Sequence, residues 1–433
     1  MSLSNKIVAI LGAGRSGRAA AALALREGAT VHVYDQAAEI SGFASRVILH
    51  PATSEAEGAS VTSDILIISP GIDTYGPLVK AFAKHTGLLT GETEFAWNYF
   101  HGCTIAITGT NGKTTTTEII SHLLNTNGIS CVPCGNYGMP LAEVVMMEKP
   151  PKVISLEVSS FQLETIHRFK PEVAVWLNFA PDHMDRYPDV ESYFRAKFRI
   201  FENLDADSTI VIRHGEKLPT CPATVIHFST ETPSASWFSE GHTIFHGEEK
   251  VLAIEKDTCL RGLHNAENIM ASIAAVRTLY KELDIVTPFK DYVPPPHRCE
   301  LIRTLDGVEY LNDSKATNLH ALESALRSQV RPVILIAGGK DKGLDYTSVL
   351  PLLQQKALAT VTFGQIAHPL GALFSQVIPT QIVTTLEEAA DYAHKTAPRG
   401  SCVLLSPGTS SFDQFSGYEH RGNTFRNIIN QLK

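Results

Sequence analysis

The chain has 433 residues, of which 44% are hydrophobic and 19% charged, the proportions of a soluble globular protein with more than one core. A formal net charge of −8 provides no basic field for a nucleic-acid backbone or an anionic membrane, so anionic ligands must be held by local sites. Seven cysteines, an odd number at irregular spacing, do not form a disulfide framework, and Cys131-x-x-Cys134 lacks the second pair that a zinc site needs. The chain enters its first strand without a signal-peptide layout and contains no apolar run of membrane-spanning length, which points to the cytoplasm.

Residues 6–35 form a βαβ unit. An apolar strand (Lys6 to Leu11) precedes Gly12-Ala13-Gly14-Arg15-Ser16-Gly17, then come an alanine-rich helix to Glu27 and a strand from Thr30 to Tyr34 that ends at Asp35. This is a G-x-G-x-x-G fingerprint in its proper context, with an acid near the expected spacing. Alone it would favour NAD and a dehydrogenase. The next strand, starting at Asp64 and reaching Ser69-Pro70-Gly71, is soon followed by a second nucleotide motif. About 92 residues are too few for two mononucleotide halves, and a half-sized unit better suits a diphosphate with one nucleoside, such as a UDP-sugar.

A central region begins near Thr93, with strand 103–108 leading into Gly109-Thr110-Asn111-Gly112-Lys113-Thr114-Thr115 and helix 114–126. Strand, glycine loop and helix make a triphosphate cradle. Backbone N–H groups and the helix's positive end face phosphate oxygens, Lys113 reaches the β- and γ-phosphates, and Thr114 can hold Mg²⁺. The common pattern has a further glycine where this chain has Ile107, so the loop is a shortened variant. Strand 152–157 ends in Glu157, placed as a metal-binding carboxylate beside a phosphate loop. Strand 172–178 delivers the polar run Asn178 to Tyr187, in which His183 and nearby carboxylates could complete a Mg²⁺ shell. A helix follows around 190–201, and residues 205–255 alternate apolar and polar as short appended strands.

Gly262 to Asn268 opens a long apolar helix through Tyr280, and Pro294-Pro295-Pro296-His297-Arg298 is a stiff linker. Beyond it, strands 308–312, 332–337 and 401–406 each end in a polar, glycine-bearing or hydroxyl-rich loop. These are Asn312 to Asn318, Gly338 to Gly343 and Ser406 to Phe415, all on the strand edge where open α/β sheets bind ligands. The fold expected is α/β in three domains: a Rossmann-like half unit (1–92), a P-loop ATPase with a doubly wound sheet (93–297) and a Rossmann-like C-terminal domain (298–433).

Thr108 to Thr115, Glu157-Val158-Ser159-Ser160-Phe161-Gln162, Asp182-His183-Met184-Asp185-Arg186-Tyr187, His264-Asn265, His297-Arg298 and Asn312 to Asn318, taken in this order and spacing, resemble the bacterial Mur ligases across essentially the whole chain. The segments Asn312 to Asn318 and Ser406 to Phe415 favour the D-glutamate-adding branch, and no Asp-Asn-Pro-Arg run of the diaminopimelate-adding enzymes occurs. The phosphate loop alone would also fit folylpolyglutamate synthetases. The resemblance implies that UDP-N-acetylmuramoyl-L-alanine, D-glutamate and ATP are the substrates, with Mg²⁺, two ions, as cofactor and a monomer as the working unit.

By the same resemblance, Lys113 and Thr114 bind ATP phosphates and the first Mg²⁺ together with Glu157, while His183 and a carbamylated Lys197 serve the second. Asn268 lies near adenine, Asp313 near ribose and Arg298 on the nucleotide side of the hinge. Gly14, Arg15, Ser16, Asp35, Ser69 and Gly71 match the uracil and diphosphate region, and Asn136, Ser159, Gln162 and His183 the muramoyl-alanine end. Arg15 either contacts the diphosphate or points to solvent. Thr317, Lys342, Ser411 and Phe412 match positions holding the two D-glutamate carboxylates, with Lys340 a competing cation. The linker is expected to let the C-terminal domain swing when ATP binds. No residue is assigned as general base. Two other readings are a nicotinamide dehydrogenase and a nucleotide-driven switch without an acceptor.

Overall fold

The structure is a computed structural model that describes residues 2–184, 186–260 and 262–432. Three sheets account for its strands. The first has five strands, β1 (Ile7–Leu11), β2 (Thr30–Tyr34), β3 (Ile48–His50), β4 (Ser63–Ile68) and β5 (Thr86–Gly91), all parallel in the order β3-β2-β1-β4-β5. Side chains alternate between its two faces and both faces of its central strands are covered, which is why β1 and residues 65–68 of β4 read as continuous apolar runs. Val8, Ile10, Val31 and Val33 share a core with Ala20, Leu23 and Ala24 of helix Arg15–Arg26. Ala9, Leu11, Leu66 and Ile68 face the other way, toward Val79 and Phe82 of helix Pro77–Ala83.

The second sheet carries nine strands: β6 (Cys103–Thr108), β7 (Cys131–Gly135), β8 (Val153–Glu157), β9 (Val173–Trp176), β10 (Thr209–Arg213), β11 (Thr224–Ser229), β12 (Trp237–Glu240), β13 (Thr243–His246) and β14 (Glu249–Ala253). Their order is β14-β13-β12-β11-β10-β9-β6-β8-β7. The strands from β7 to β12 are parallel, and β12–β13–β14 finish as antiparallel hairpins, the alternating short strands foreseen for residues 205–255. Helix Lys113–Thr126 follows β6 directly. Glu92 and Glu94, opening helix Glu92–Trp97, are both buried. Glu92 accepts the Ala142 N–H at 2.7 Å, and Glu94 accepts those of Arg168 and Phe169 at 2.9 and 3.0 Å.

The third sheet holds β15 (Glu300–Leu305), β16 (Val308–Asn312), β17 (Val333–Gly338), β18 (Ala357–Phe363), β19 (Thr380–Ile382) and β20 (Cys402–Leu405), ordered β15-β16-β20-β17-β18-β19. Only β15 runs antiparallel to its neighbour. Leu335 and Leu404 face a core with Leu322, Leu353 and Phe374, while Ile334, Ile336, Val403 and Leu405 face Leu386, Phe425 and Ile429.

The chain divides into two compact units. The first comprises residues up to Phe179, Asp189–Ala253 and Glu267–Asp291 and contains the first two sheets. The second comprises Ala180–Pro188, Ile254–Ala266 and the chain from Tyr292 on, and contains the third sheet. Among the described residues no helix is long and apolar enough to cross a membrane.

Candidate active site

In the first unit the phosphate loop lies at the carboxyl end of β6, between β8 and β9. Gly112 caps helix Lys113–Thr126 with φ +85°, and a Cβ there would come within 2.3 Å of Asn268 Oδ1, so the turn takes glycine. Asn178 fixes the loop from the end of β9: its carbonyl accepts the Thr110 N–H at 3.0 Å and its Oδ1 the Asn111 N–H at 2.9 Å. Lys113 Nζ folds back over the loop to the carbonyls of Gly109 and Thr110, both at 2.9 Å. Thr114 Oγ1 donates to Glu157 Oε2 at 2.7 Å, while Asn136 Nδ2 donates to Glu157 Oε1 at 2.7 Å. Thr115 is buried beside them, and Asn268, also buried, accepts from Thr116 Oγ1 at 3.4 Å behind the loop. Lys197 is only 2% exposed; its Nζ donates to Gly109 O at 2.9 Å and lies 5.0 Å from the Tyr193 ring centre. The structure thus gathers Lys113, Thr114, Glu157, Asn136 and Lys197 around one loop.

The glycine fingerprint follows β1 in the same unit. A Cβ on Gly17 would lie 1.9 Å from Gly12 O, whereas one on Gly14 would meet nothing within 4 Å, leaving that backbone open to close approach by a ligand. Asp35 braces the loop by accepting the Ala13 N–H at 2.6 Å and the Ala37 N–H at 2.8 Å. Ser69 Oγ donates to Gly12 O at 3.3 Å, Ser16 lies in the first turn of helix Arg15–Arg26, and Gly71 lies in the turn after β4. Arg15 sends its guanidinium to Gly138 O at 2.8 Å and to Glu143 at 3.2 Å, so the chain itself supplies its partners. Ser159 caps helix Ser160–Leu163 in a reciprocal capping box with Gln162, whose Nε2 donates to Thr93 Oγ1 at 2.9 Å.

In the second unit three loops meet at the carboxyl ends of β16, β20 and β17, which are adjacent strands. Asp313 takes the Cys299 N–H at 3.2 Å and Ser406 Oγ at 2.8 Å, and burial pushes its carboxyl up to about 7. Lys342 Nζ donates to Asp182 Oδ1 at 3.0 Å and to Thr317 O at 3.4 Å, while Lys340 is exposed. Asp182 also accepts from Asn318 Nδ2 at 2.9 Å. Burial opposes the Asp182 charge, yet His183 and Lys342 beside it hold the carboxyl below its ordinary value. His183 has φ +59° and brings Nε2 to 3.9 Å from Asp182 Oδ2. Asp185 of the same motif lies outside the described residues. Ser411 is buried and Phe412 is 65% exposed. Arg298 is half-buried between two left-handed residues, His297 and Cys299. Burial, His320 and Arg298 lower the His264 imidazole to about 4, so it is neutral at physiological pH.

The sequence offers Asp182 only as one of the carboxylates beside His183 in a metal shell, not as the partner of Lys342, and it assigns no role to Arg421, which is buried among these loops and carries no motif signal. The quoted Asp-His pair was the only available hint of Asp182.

A model of the Mur ligase middle domain matches residues 107–276, and one of the Mur ligase, glutamate ligase domain matches residues 297–408. The UDP-N-acetylmuramoylalanine–D-glutamate ligase of Salinibacter ruber is 35% identical, over 98% of this chain and 97% of its own. The enzyme of the same name from Koribacter versatilis is also 35% identical, over 100% of this chain and 99% of its own. The chain belongs to the Mur ligase family. Two solved structures show the same fold. The Mur ligase MurC from Thermotoga maritima, a UDP-N-acetylmuramate-alanine ligase, aligns with TM-score 0.62 at 16% identity over 99% of this chain and 100% of its own. MurF ligase from the same organism, in complex with ADP, aligns with TM-score 0.61 at 17% identity over 99% and 96%. The match to the Mur ligase middle domain takes in the whole loop at the end of β6, together with Asn136, Glu157, Lys197 and Asn268.

Proposed function

We propose that this chain is an ATP-dependent ligase of the cytoplasm that joins D-glutamate to UDP-N-acetylmuramoyl-L-alanine in peptidoglycan precursor synthesis, releasing ADP and phosphate. The observation that carries this reading is the phosphate loop with Thr114 bonded to Glu157 at 2.7 Å, in a chain similar along its whole length to ligases of that name. The three-domain division at 1–92, 93–297 and 298–433 belongs to the proposal, as does a monomeric working unit.

An amide forms from a carboxylate in water only after activation. The alanyl carboxylate attacks the γ-phosphate of ATP in line, giving ADP and an acyl phosphate. The D-glutamate amine then attacks the acyl carbon, and the tetrahedral intermediate expels phosphate. Lys113, with two carbonyl partners on the loop, is the mobile cation that can transfer to phosphate oxygens as charge builds. Gly109 to Thr115 hold the phosphates, with Asn268, Arg298 and Asp313 assigned to the nucleoside and hinge side.

Thr114 Oγ1 and the Glu157 carboxylate form a compact set of hard oxygen donors, the chemistry that suits Mg²⁺. Bound there, the ion would supply neutralisation of phosphate charge. Lys197 as an ammonium is a poor metal neighbour; a carbamate on Nζ would convert it to an anionic oxygen donor for a second ion, and His183 is assigned to metal as well. Gly14, Arg15, Ser16, Asp35, Ser69, Gly71, Asn136, Ser159, Gln162 and His183 are assigned to the UDP-substrate. Thr317, Lys342, Ser411 and Phe412 are assigned to D-glutamate. Lys342 is favoured over Lys340 because it is half-buried and held between Asp182 and Thr317.

The test is phosphate release from Mg·ATP with UDP-N-acetylmuramoyl-L-alanine and, separately, D-glutamate, L-glutamate, meso-diaminopimelate or L-lysine. Turnover with D-glutamate alone is expected. Turnover without any acceptor, or only with another amino acid, would overturn the assignment.

A further inference from the structure

Arg421, on helix Tyr418–Gln431, is fully buried at 0% exposure. Buried guanidinium groups are ordinarily paired with carboxylates, but the hydrogen bonds of this one go to neutral oxygens. Nε donates to Ser314 Oγ at 3.0 Å, and Nη2 to Ser314 O at 2.9 Å and Thr409 O at 3.2 Å. Nη1 donates to Thr409 O and Ser410 O, both at 3.3 Å. All five N–H donors of the planar fork are therefore used.

The acceptors sit on two different loops. Ser314 lies between Asp313 and Thr317 after β16; Thr409 and Ser410 immediately precede Ser411 after β20. The third loop is engaged too, because a Cβ on Gly339 would lie 3.1 Å from Arg421 Nη1, and Lys340 N–H donates to Ser410 O at 2.9 Å. Loop backbones that bind ligands are otherwise the most deformable parts of an α/β domain. Here one rigid group ties two of the loops directly, and the third packs against it at Gly339 and is joined to the second through the Lys340 N–H. Burial lowers the guanidinium pKa to about 9, partly offset by Asp413 and Asp313, so it stays charged at neutral pH.

We infer that Arg421 is the positioning residue of the acceptor site. It fixes the separation of the loops bearing Thr317, Lys342 and Ser411, and it places a positive charge beneath a pocket built for an amino acid with two carboxylates. The inference rests on the acceptor assignment above. A lysine can replace the charge but not the five-donor fork.

The experiment compares wild type with Arg421→Lys in steady-state turnover, and separately traps the acyl phosphate by borohydride reduction with Mg·ATP and UDP-N-acetylmuramoyl-L-alanine but no amino acid. The expected result is a tenfold or greater rise in KM for D-glutamate, with trapped acyl phosphate within twofold of wild type and less than threefold change in KM for ATP. An unmoved KM for D-glutamate, or a parallel rise in KM for every substrate, overturns the inference. Should Arg421→Lys fail to melt cooperatively, Ser314→Ala carries the test, with about a threefold rise in D-glutamate KM expected and no rise overturning the inference. A wild type that is silent with D-glutamate brings down the ligase reading and this inference together; an active wild type separates the two.

Discussion

Lys113 shows what a single side chain contributes here. Its ammonium bridges two loop carbonyls, which keeps a cation on the loop proposed to hold phosphate. In the proposed reaction Lys113→Ala removes a charge needed most when the γ-phosphate is being transferred, and the expected loss is about 3 kcal/mol, a hundredfold or more in turnover. Phosphate release under saturating substrates measures it, and near-wild-type turnover would sink the phosphate-loop assignment. Lys113 and Thr114 were legible because strand, glycines, lysine and hydroxyl are contiguous in the chain, and Glu157 because it ends a recognisable buried strand. The Asp182–Lys342 pair joins residues 160 positions apart, and Arg421 reaches back 107 positions to Ser314; no local pattern encodes either. The resemblance alone puts Lys342 ahead of Lys340 in the sequence, whereas the structure tells the two apart by their surroundings, Lys342 held by Asp182 and Thr317 and Lys340 exposed.

At the scale of elements, the central parallel strands were readable because both faces are buried, so β1 and β17 are apolar along their length and β4, β6 and β8 over most of theirs. The outer strands β3 and β19, three residues each, and β5, with its glycines, offer too little pattern to stand out. Helix Glu92–Trp97 opens with a carboxylate that no periodicity would place in a core. Burial raises Glu92 from 4.5 to about 7, against the Ala142 N–H bond that favours its charge. Below pH 4.5 both folded and unfolded chains hold the proton. Between there and pH 7 the unfolded chain gives it up first, so stability falls with rising pH and levels off above 7. The group accounts for a fall on the order of 3 kcal/mol. Glu92→Gln keeps an acceptor for Ala142 and is expected to flatten the decline between pH 5 and pH 8 in urea unfolding. A remaining slope of the same sign comes from Asp313, whose carboxyl is also raised to about 7. An unchanged slope in the variant would mean that Glu92 is already ionised in the folded protein.

For the whole molecule, the N-terminal fingerprint could serve NAD or a UDP-linked sugar, and ligand-dependent melting separates them. UDP-N-acetylmuramoyl-L-alanine at a hundred times its Kd stabilises a folded chain that binds it by about 2.7 kcal/mol, whereas millimolar NAD is expected to leave the melting curve in place. A shift with NAD and none with the UDP-substrate would return the first sheet to a dehydrogenase reading. The phosphate loop carries one more consequence. Asn111 is held by Asn178, 67 positions later, and Thr116, four residues past Gly112, hydrogen-bonds Asn268, 152 positions later. At ribosomal speeds of about 5–20 residues per second, roughly 8–30 s separate synthesis of the loop from that of its last support. A nascent chain therefore carries the nucleotide motif through that interval before the contact that backs its helix can form.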